Sequence, residues 1–192
     1  MPGDVLQDLD NNERPNMKEF KKQLSIGVAL WTALLVLATN QSKGSPYDQS
    51  TLTRVGDISP VLSVSTVEGQ TVDFHGKVVV LSFFATWCGP CKAEMPHLER
   101  DLWGPLKSQG LVLIAVGREH SQSEVEAFQQ AKHYTFQFAA DPHREIYSKF
   151  ATEYIPRCIV IGKDGRVKCQ TIGYSETDLA ALTQIVKREL NK

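Results

Sequence analysis

Net charge is almost absent from this chain. Its 21 Lys and Arg against 22 Asp and Glu leave a formal charge of −1, which gives no electrostatic case for nucleic acid or an anionic membrane surface. Internal repeats are absent. Ile26–Ala38, the apolar run near the N-terminus, falls short of the roughly 18 residues of a full membrane span. Cysteine is sparse, with four in all. A zinc site would need a second pair of Cys or His ligands at short spacing, and Cys158 and Cys169 stand far apart with no histidine beside them at finger spacing. The five histidines show no ligand spacing and read as surface or packing residues.

What is present is one dithiol in a telling context, Trp87-Cys88-Gly89-Pro90-Cys91. The residues before it, Val78 to Phe84, are apolar, β-branched and aromatic, and predict a buried strand. Pro90 suits the first turn of a helix, where a missing N–H costs little, and Lys92-Ala93-Glu94-Met95 favour helix after it. Cys88 is therefore expected at a helix N-terminus. Unpaired N–H groups and the positive end of the helix dipole favour a thiolate there. A thiolate is the species that attacks a disulfide. An inert structural bond would make no use of this setting.

Around the dithiol, the stretch Phe83 to Pro96 resembles the active site of the thioredoxin superfamily, and within it the TlpA/ResA branch of extracytoplasmic thiol–disulfide oxidoreductases. Val55-Gly56-Asp57-Ile58-Ser59-Pro60 and Gly162-Lys163-Asp164-Gly165-Arg166 are similar to that branch's N-terminal segment and late hairpin turn. The resemblance spans about Leu52 to Lys192.

The length suits one compact domain with an extension. Residues 1–25 are mostly polar. Lys18, Lys21 and Lys22 then precede the run 26–38, which has the length of a signal-peptide core and is followed by a polar linker at 39–51. A cleaved signal and an uncleaved N-terminal membrane anchor both fit, and Met17 is a second candidate start. No cysteine follows the run, so lipid attachment has no support. Either reading places the domain, residues 52–192, outside the cytoplasm, in a periplasm or on the outer face of the membrane.

Within that domain the patterns predict a hairpin at 61–66 and 71–74. Next come strand 78–84, a helix from Pro90 toward Gly110 kinked at Pro96, and strand 111–116. A helix over 121–134 with a Ser121/Glu124 capping box follows, then strand 136–140 and a helix over 142–153. A second hairpin at 157–161 and 166–172, and a helix from Ser175 to Leu190, end the chain. This predicts an α/β fold, a central mixed sheet with helices on both faces. The resemblance implies a thioredoxin-like fold in which 121–140 is an extra αβ insertion.

Cys88 is the expected nucleophile and Cys91, one turn into the helix and better shielded, the resolving thiol. Trp87, Gly89, Pro90, Ile155 and Pro156 are expected to face the substrate. The resemblance implies a cis-proline at Pro156, where the Ile155 backbone would pair with an extended client segment. Tyr154-Ile155-Pro156-Arg157 departs from the branch's Gly-x-Pro-Thr, and Arg157 is expected to alter partner choice. Thioredoxin's buried strand aspartate is here Ser82, which does not titrate near neutrality. Glu94 matches the carboxylate that the branch carries after its second cysteine. It shares a helical face with Cys91 and is expected to move protons. The alternative is a solvated first-turn glutamate. Cys158 and Cys169 flank the second hairpin. A bulged Lys-Asp-Gly turn would put them on opposite faces as small hydrophobes, whereas a two-residue turn would let them pair.

These readings converge on a reductase of disulfides in exported client proteins. Electrons would come from a membrane dithiol donor, with no cofactor or metal. By resemblance, cytochrome c apoproteins are candidate clients. A thiol oxidant or isomerase is the main alternative. A thiol peroxidase would want a threonine and a proline well upstream of a lone cysteine. A pure binding module would have no use for an intact dithiol.

Overall fold

The computed structural model describes residues 46–192. The segments read from sequence as polar (1–25) and as signal or anchor (26–38) lie outside the described residues. Among the described residues no helix is long and apolar enough to cross a membrane. The described end of the expected linker is packed onto the domain. Helix α1 (Pro46–Gln49) leads to a buried Ser50 and to Thr51, which bridges Ala151.

Strands β1 (Ser63–Ser65) and β2 (Thr71–Asp73) form an antiparallel hairpin in which Val64 opposes Val72 and both are buried. The main sheet has five strands in the order β5-β4-β3-β6-β7. Its centre is β3 (Val78–Phe84), buried throughout and parallel to β4 (Leu111–Arg118). A strand covered on both faces needs a nearly continuous apolar run, which the sequence supplies with Ser82 as its one polar residue. Beyond β4 lies β5 (Gln137–Asp141), also parallel. On the other side β6 (Arg157–Ile161) and β7 (Val167–Ile172) run antiparallel.

The pleat divides the core in two. Val78, Val80 and Phe84 of β3 face α2 (Gly89–His97) and α5 (Glu176–Leu190), whose Met95, Leu182 and Val186 pack against them. Val125 of α4 (Gln122–Lys132) joins the same layer. Val79, Leu81 and Phe83 face the hairpin together with Tyr147 and Phe150. Each such side chain, fully buried, contributes about 1.5–3 kcal/mol. The α4–β5 unit occupies the place of the expected insertion. Its capping box forms: Ser121 accepts from the Glu124 N–H, and Glu124 accepts from the Ser121 N–H. Gly117 admits that helix closely, since a Cβ there would lie 2.5 Å from Val125 Cγ2.

The helix expected to run from Pro90 to Gly110 is instead broken into pieces. After α2 the backbone widens into a π-helix at Leu98–Trp103, returns to a short α3 (Gly104–Leu106), and tightens into a 3₁₀ turn at Lys107–Gln109. Pro96 and Pro105 lack the N–H groups that would bond the carbonyls four residues back. At the junction the Gly104 N–H reaches the Glu99 carbonyl five residues earlier.

Three more sequence expectations are corrected. The helix predicted over 142–153 is a single 3₁₀ turn, Tyr147–Lys149. The buried Asp141 carboxylate accepts the N–H groups of Ile146 and Tyr147 at 3.1 and 2.8 Å, and Arg144 adopts φ 59°. An aspartate that captures backbone donors in this way competes with helix. Cys158 and Cys169 lie on the same face of the sheet. A register shift near the Val160–Ile161 end pairs Cys158 with Thr171 and Val160 with Cys169. One further residue of slip reverses the face that a simple bulged turn would give. Both cysteines are free.

Arg157, expected to alter partner choice, is fully buried on the face away from the dithiol. Its guanidinium donates to Ser50 Oγ, Thr51 Oγ1, the Glu153 carbonyl and Gln170 Oε1. It ties the start of the domain to β6 and β7. Arg157→Lys keeps the charge but loses the planar fork, and should cost about 2 kcal/mol in urea unfolding. The Cys88 thiolate titration should be unchanged. Altered client preference at unchanged stability would restore the partner-selecting role.

Candidate active site

The site forms where β3 leaves the sheet. Cys88 is the N-cap residue of α2, with φ −75° and ψ 112°, and its Sγ accepts the Cys91 N–H at 3.2 Å. The sulfur is thus held against a backbone donor at the positive end of the helix, a setting that favours a thiolate once Cys88 is reduced. Gly89 and Pro90 fill the first helical positions, with no carbonyl left needing a donor from Pro90. Cys88 and Cys91 are joined in a disulfide, with Cα atoms 5.3 Å apart. Cys88 is 5% exposed and Cys91 not at all, so an incoming thiol or disulfide can reach only Cys88.

The loop before β6 closes over this bond. The Ile155–Pro156 peptide is cis, and Cys88 Sγ lies 3.9 Å from the Ile155 carbonyl oxygen. The expected substrate-facing residues are thus brought together at one end of the sheet. Trp87 is 64% exposed at the rim, and Tyr154 is 39% exposed beside Ile155. Tyr154 takes φ 71° at the position where the resembling branch has glycine. It is braced there by the Tyr147 hydroxyl, which donates to its carbonyl at 2.8 Å, and by an edge-on contact with the Tyr47 ring.

Glu94 lies inside the protein, one turn beyond Cys91, and is 3% exposed. Among the described residues it has no ion-pair partner. Ser82 Oγ donates to its Oε2 at 3.3 Å, and Cys158 Sγ donates to its Oε1 at 3.4 Å. Burial disfavours the charged carboxylate and raises its pKa to about 7, while the bonds from Cys158 and Ser82 pull the other way. A group titrating near neutrality can take and return a proton at working pH. The solvated alternative for Glu94 does not describe this structure.

Two contacts were not read from the sequence. The sequence offers Cys158 as a small hydrophobe or as a partner for Cys169, not as a donor to Glu94. Yet its place two residues after Pro156, on a strand paired with Ser82, was a signal that it shares Ser82's side of the sheet. His120, treated as a surface or packing residue, is buried and accepts the Thr86 N–H through Nε2 at 2.9 Å, steadying the turn before Trp87. Among the described residues no group of three or more His, Cys, Asp or Glu could hold a metal ion.

Comparison with known proteins agrees with this fold. The AhpC/TSA family matches residues 55–170. Over 172 residues the chain is 28% identical to the thiol-disulfide oxidoreductase ResA of Oceanobacillus iheyensis, covering 86% of this chain and 87% of that one. It is 32% identical over 123 residues to the ResA of Bacillus thuringiensis, covering 62% of this chain and 70% of the relative. Among solved structures, a candidate protein disulfide isomerase from Bacteroides thetaiotaomicron superposes with a TM-score of 0.70 and 31% identity, across 74% of this chain and 94% of that one.

The raised Glu94 pKa makes stability depend on pH with a definite sign. The unfolded carboxyl titrates near about 4.3 and the folded one at about 7. Glu94's stabilising share is therefore fully present below the unfolded value and is lost as pH rises through the folded one. Glu94→Gln removes that dependence. Between about pH 4 and about pH 8 the variant should gain about 3 kcal/mol over the wild type in urea unfolding of the oxidised form. An equal difference at both pH values would place the carboxyl in solvent.

Proposed function

The chain belongs to the AhpC/TSA family and is a thiol–disulfide oxidoreductase with a thioredoxin-like fold, and we propose that it works outside the cytoplasm, reducing disulfides in exported client proteins. The observation that carries this reading is the pair Cys88–Cys91 at a helix start, with only Cys88 open to a partner and Glu94 buried behind. Gly89-Pro90 between the cysteines matches thioredoxin, whose potential of about −270 mV sets a reducing default.

In the proposed cycle the Cys88 thiolate attacks one sulfur of a client disulfide. The client S–S bond breaks, a mixed disulfide forms, and the released client thiolate takes up a proton. Cys91 then gives its proton to the Glu94 carboxylate and attacks Cys88. The Cys88–client bond breaks, the enzyme disulfide closes, and the second client thiolate takes up a proton. Glu94 returns its own proton to the medium. Two electrons pass from the enzyme dithiol to the client. A dithiol donor in the membrane would restore the reduced form, and no organic cofactor enters.

Client docking in this reading uses the Ile155 backbone as a strand edge, with Trp87, Gly89, Pro90 and Pro156 forming the surface around the sulfur. Residues 26–38, with lysines before them, act as a signal or membrane anchor, and 39–51 lead into the catalytic domain. Cytochrome c apoproteins, whose haem-attachment thiols must be reduced, are candidate clients through the resemblance to the TlpA/ResA branch. One observation favours a second reading, a thiol oxidant or isomerase: the neighbour from Bacteroides thetaiotaomicron is described as a candidate protein disulfide isomerase.

Cys91→Ser should accumulate mixed disulfides through Cys88, whereas Cys88→Ser should accumulate none; mass spectrometry placing adducts on Cys91 would reverse the roles. The dithiol potential, measured against glutathione or thioredoxin, should lie below about −220 mV, and a value near the roughly −120 mV of DsbA would move the protein to the oxidant reading. Residues 1–50 fused to a reporter that functions only outside the cytoplasm should give activity. A silent fusion, with the full protein in the cytosol, would remove the exported reading.

A further inference from the structure

We propose that Cys158 is a positioning residue of the redox reaction, its thiol fixing one oxygen of the Glu94 carboxyl group while the Ser82 hydroxyl fixes the other. This rests on the proposed proton-carrying role of Glu94. The two donors come from adjacent strands of the sheet. β3 brings Ser82 and β6 brings Cys158, which are directly opposite in the β3–β6 register. Their side chains project to the layer under α2, where they meet the two oxygens separately at 3.3 and 3.4 Å. All three side chains are buried, which shields the carboxylate from bulk solvent.

The thiol is a suitable donor because it stays protonated. Burial raises the Cys158 pKa well above its ordinary value, and the neighbouring Glu94 charge raises it further. The groups around Glu94 are few. Cys91 precedes it on its own helix, Ser82 and Cys158 face it from the sheet, and Tyr174, after β7, lies within its electrostatic reach. No cation balances it among the described residues. Hydrogen bonds to the ionised form are then the main force opposing the burial that drives the carboxyl neutral. Cys158 thus places Glu94's titration where Cys91 can hand it a proton. No electron passes through Cys158, and its own S–H bond stays intact.

The test uses the full chain in its oxidised form, with the Glu94 carboxyl carbon followed by NMR across a pH titration. Cys158→Ala and Cys158→Val remove the donor; Val nearly fills the space and covers the case in which Ala fails to fold. Cys158→Ser restores a donor. In the donor-free variants the Glu94 midpoint should move up by roughly one pH unit, and in Cys158→Ser it should return to the wild-type value or below. The rise of client-disulfide reduction with pH should shift alkaline in parallel, leaving a several-fold slower rate at neutrality. An unmoved midpoint in a folded donor-free variant would overturn the inference and make Cys158 packing only. So would Cys158→Ser moving as far as Val. A midpoint that moves while the rate profile stays fixed would confirm the Cys158–Glu94 bond but overturn the proton-carrying reading of Glu94, and with it the redox role of Cys158.

Discussion

The site depends on one pairing, that of β3 with an antiparallel β6 in the register that sets Phe83 opposite Arg157. β3 ends by turning into a helix, which puts Cys88 at a helix N-terminus. Because β6 runs the other way, its beginning lies beside that turn. The Ile155–Pro156 loop is therefore carried directly over the sulfur. The same register sets Ser82 opposite Cys158 in the next layer down. A slip of one residue would move Cys158 to the far face and expose Arg157 to the dithiol layer. Fold and chemistry are fixed by the same ladder of hydrogen bonds.

The second constraint is electrostatic. A carboxyl group is held in the apolar layer beneath α2 with two neutral donors and no cation among the described residues. An ion pair would have locked it in the charged state, and an apolar cage without donors would have locked it neutral. Two neutral hydrogen bonds leave it between these limits. Another buried charge, Arg157, is treated differently. It is surrounded by oxygen acceptors on the opposite face, where it fastens the start of the domain to the sheet. The molecule thus separates a structural charge from a titrating one by the thickness of the sheet.

Much of this was legible in the chain. The run 78–84 gave its strand to the residue, because full burial on both faces selects apolar side chains at every position but Ser82, which bonds Glu94. The capping residues Ser121 and Ser175 marked their helix starts, since a side-chain cap is a local hydrogen bond. Local chemistry also misled. The apolar spacing of Ile146, Tyr147 and Phe150 suggested a helix, but Asp141 draws in the backbone donors on which that helix would depend. A single bulge in the hairpin turn would place the two cysteines on opposite faces, and the additional slip between Val167 and Cys169 returns them to the same one.

By itself the sequence determined the dithiol, its helix-start setting and the place of the titratable carboxyl, because each follows from neighbours a few residues apart. It also determined the alternation of strands and helices that makes a mixed sheet. Only the tertiary structure decided which side chains reach that carboxyl and which face Arg157 occupies. It alone decided that Cys88 meets the Ile155 carbonyl, a contact between residues on different elements. Those outcomes depend on strand register and bulges, and a single-residue shift in either exchanges the two faces of a strand without changing its composition.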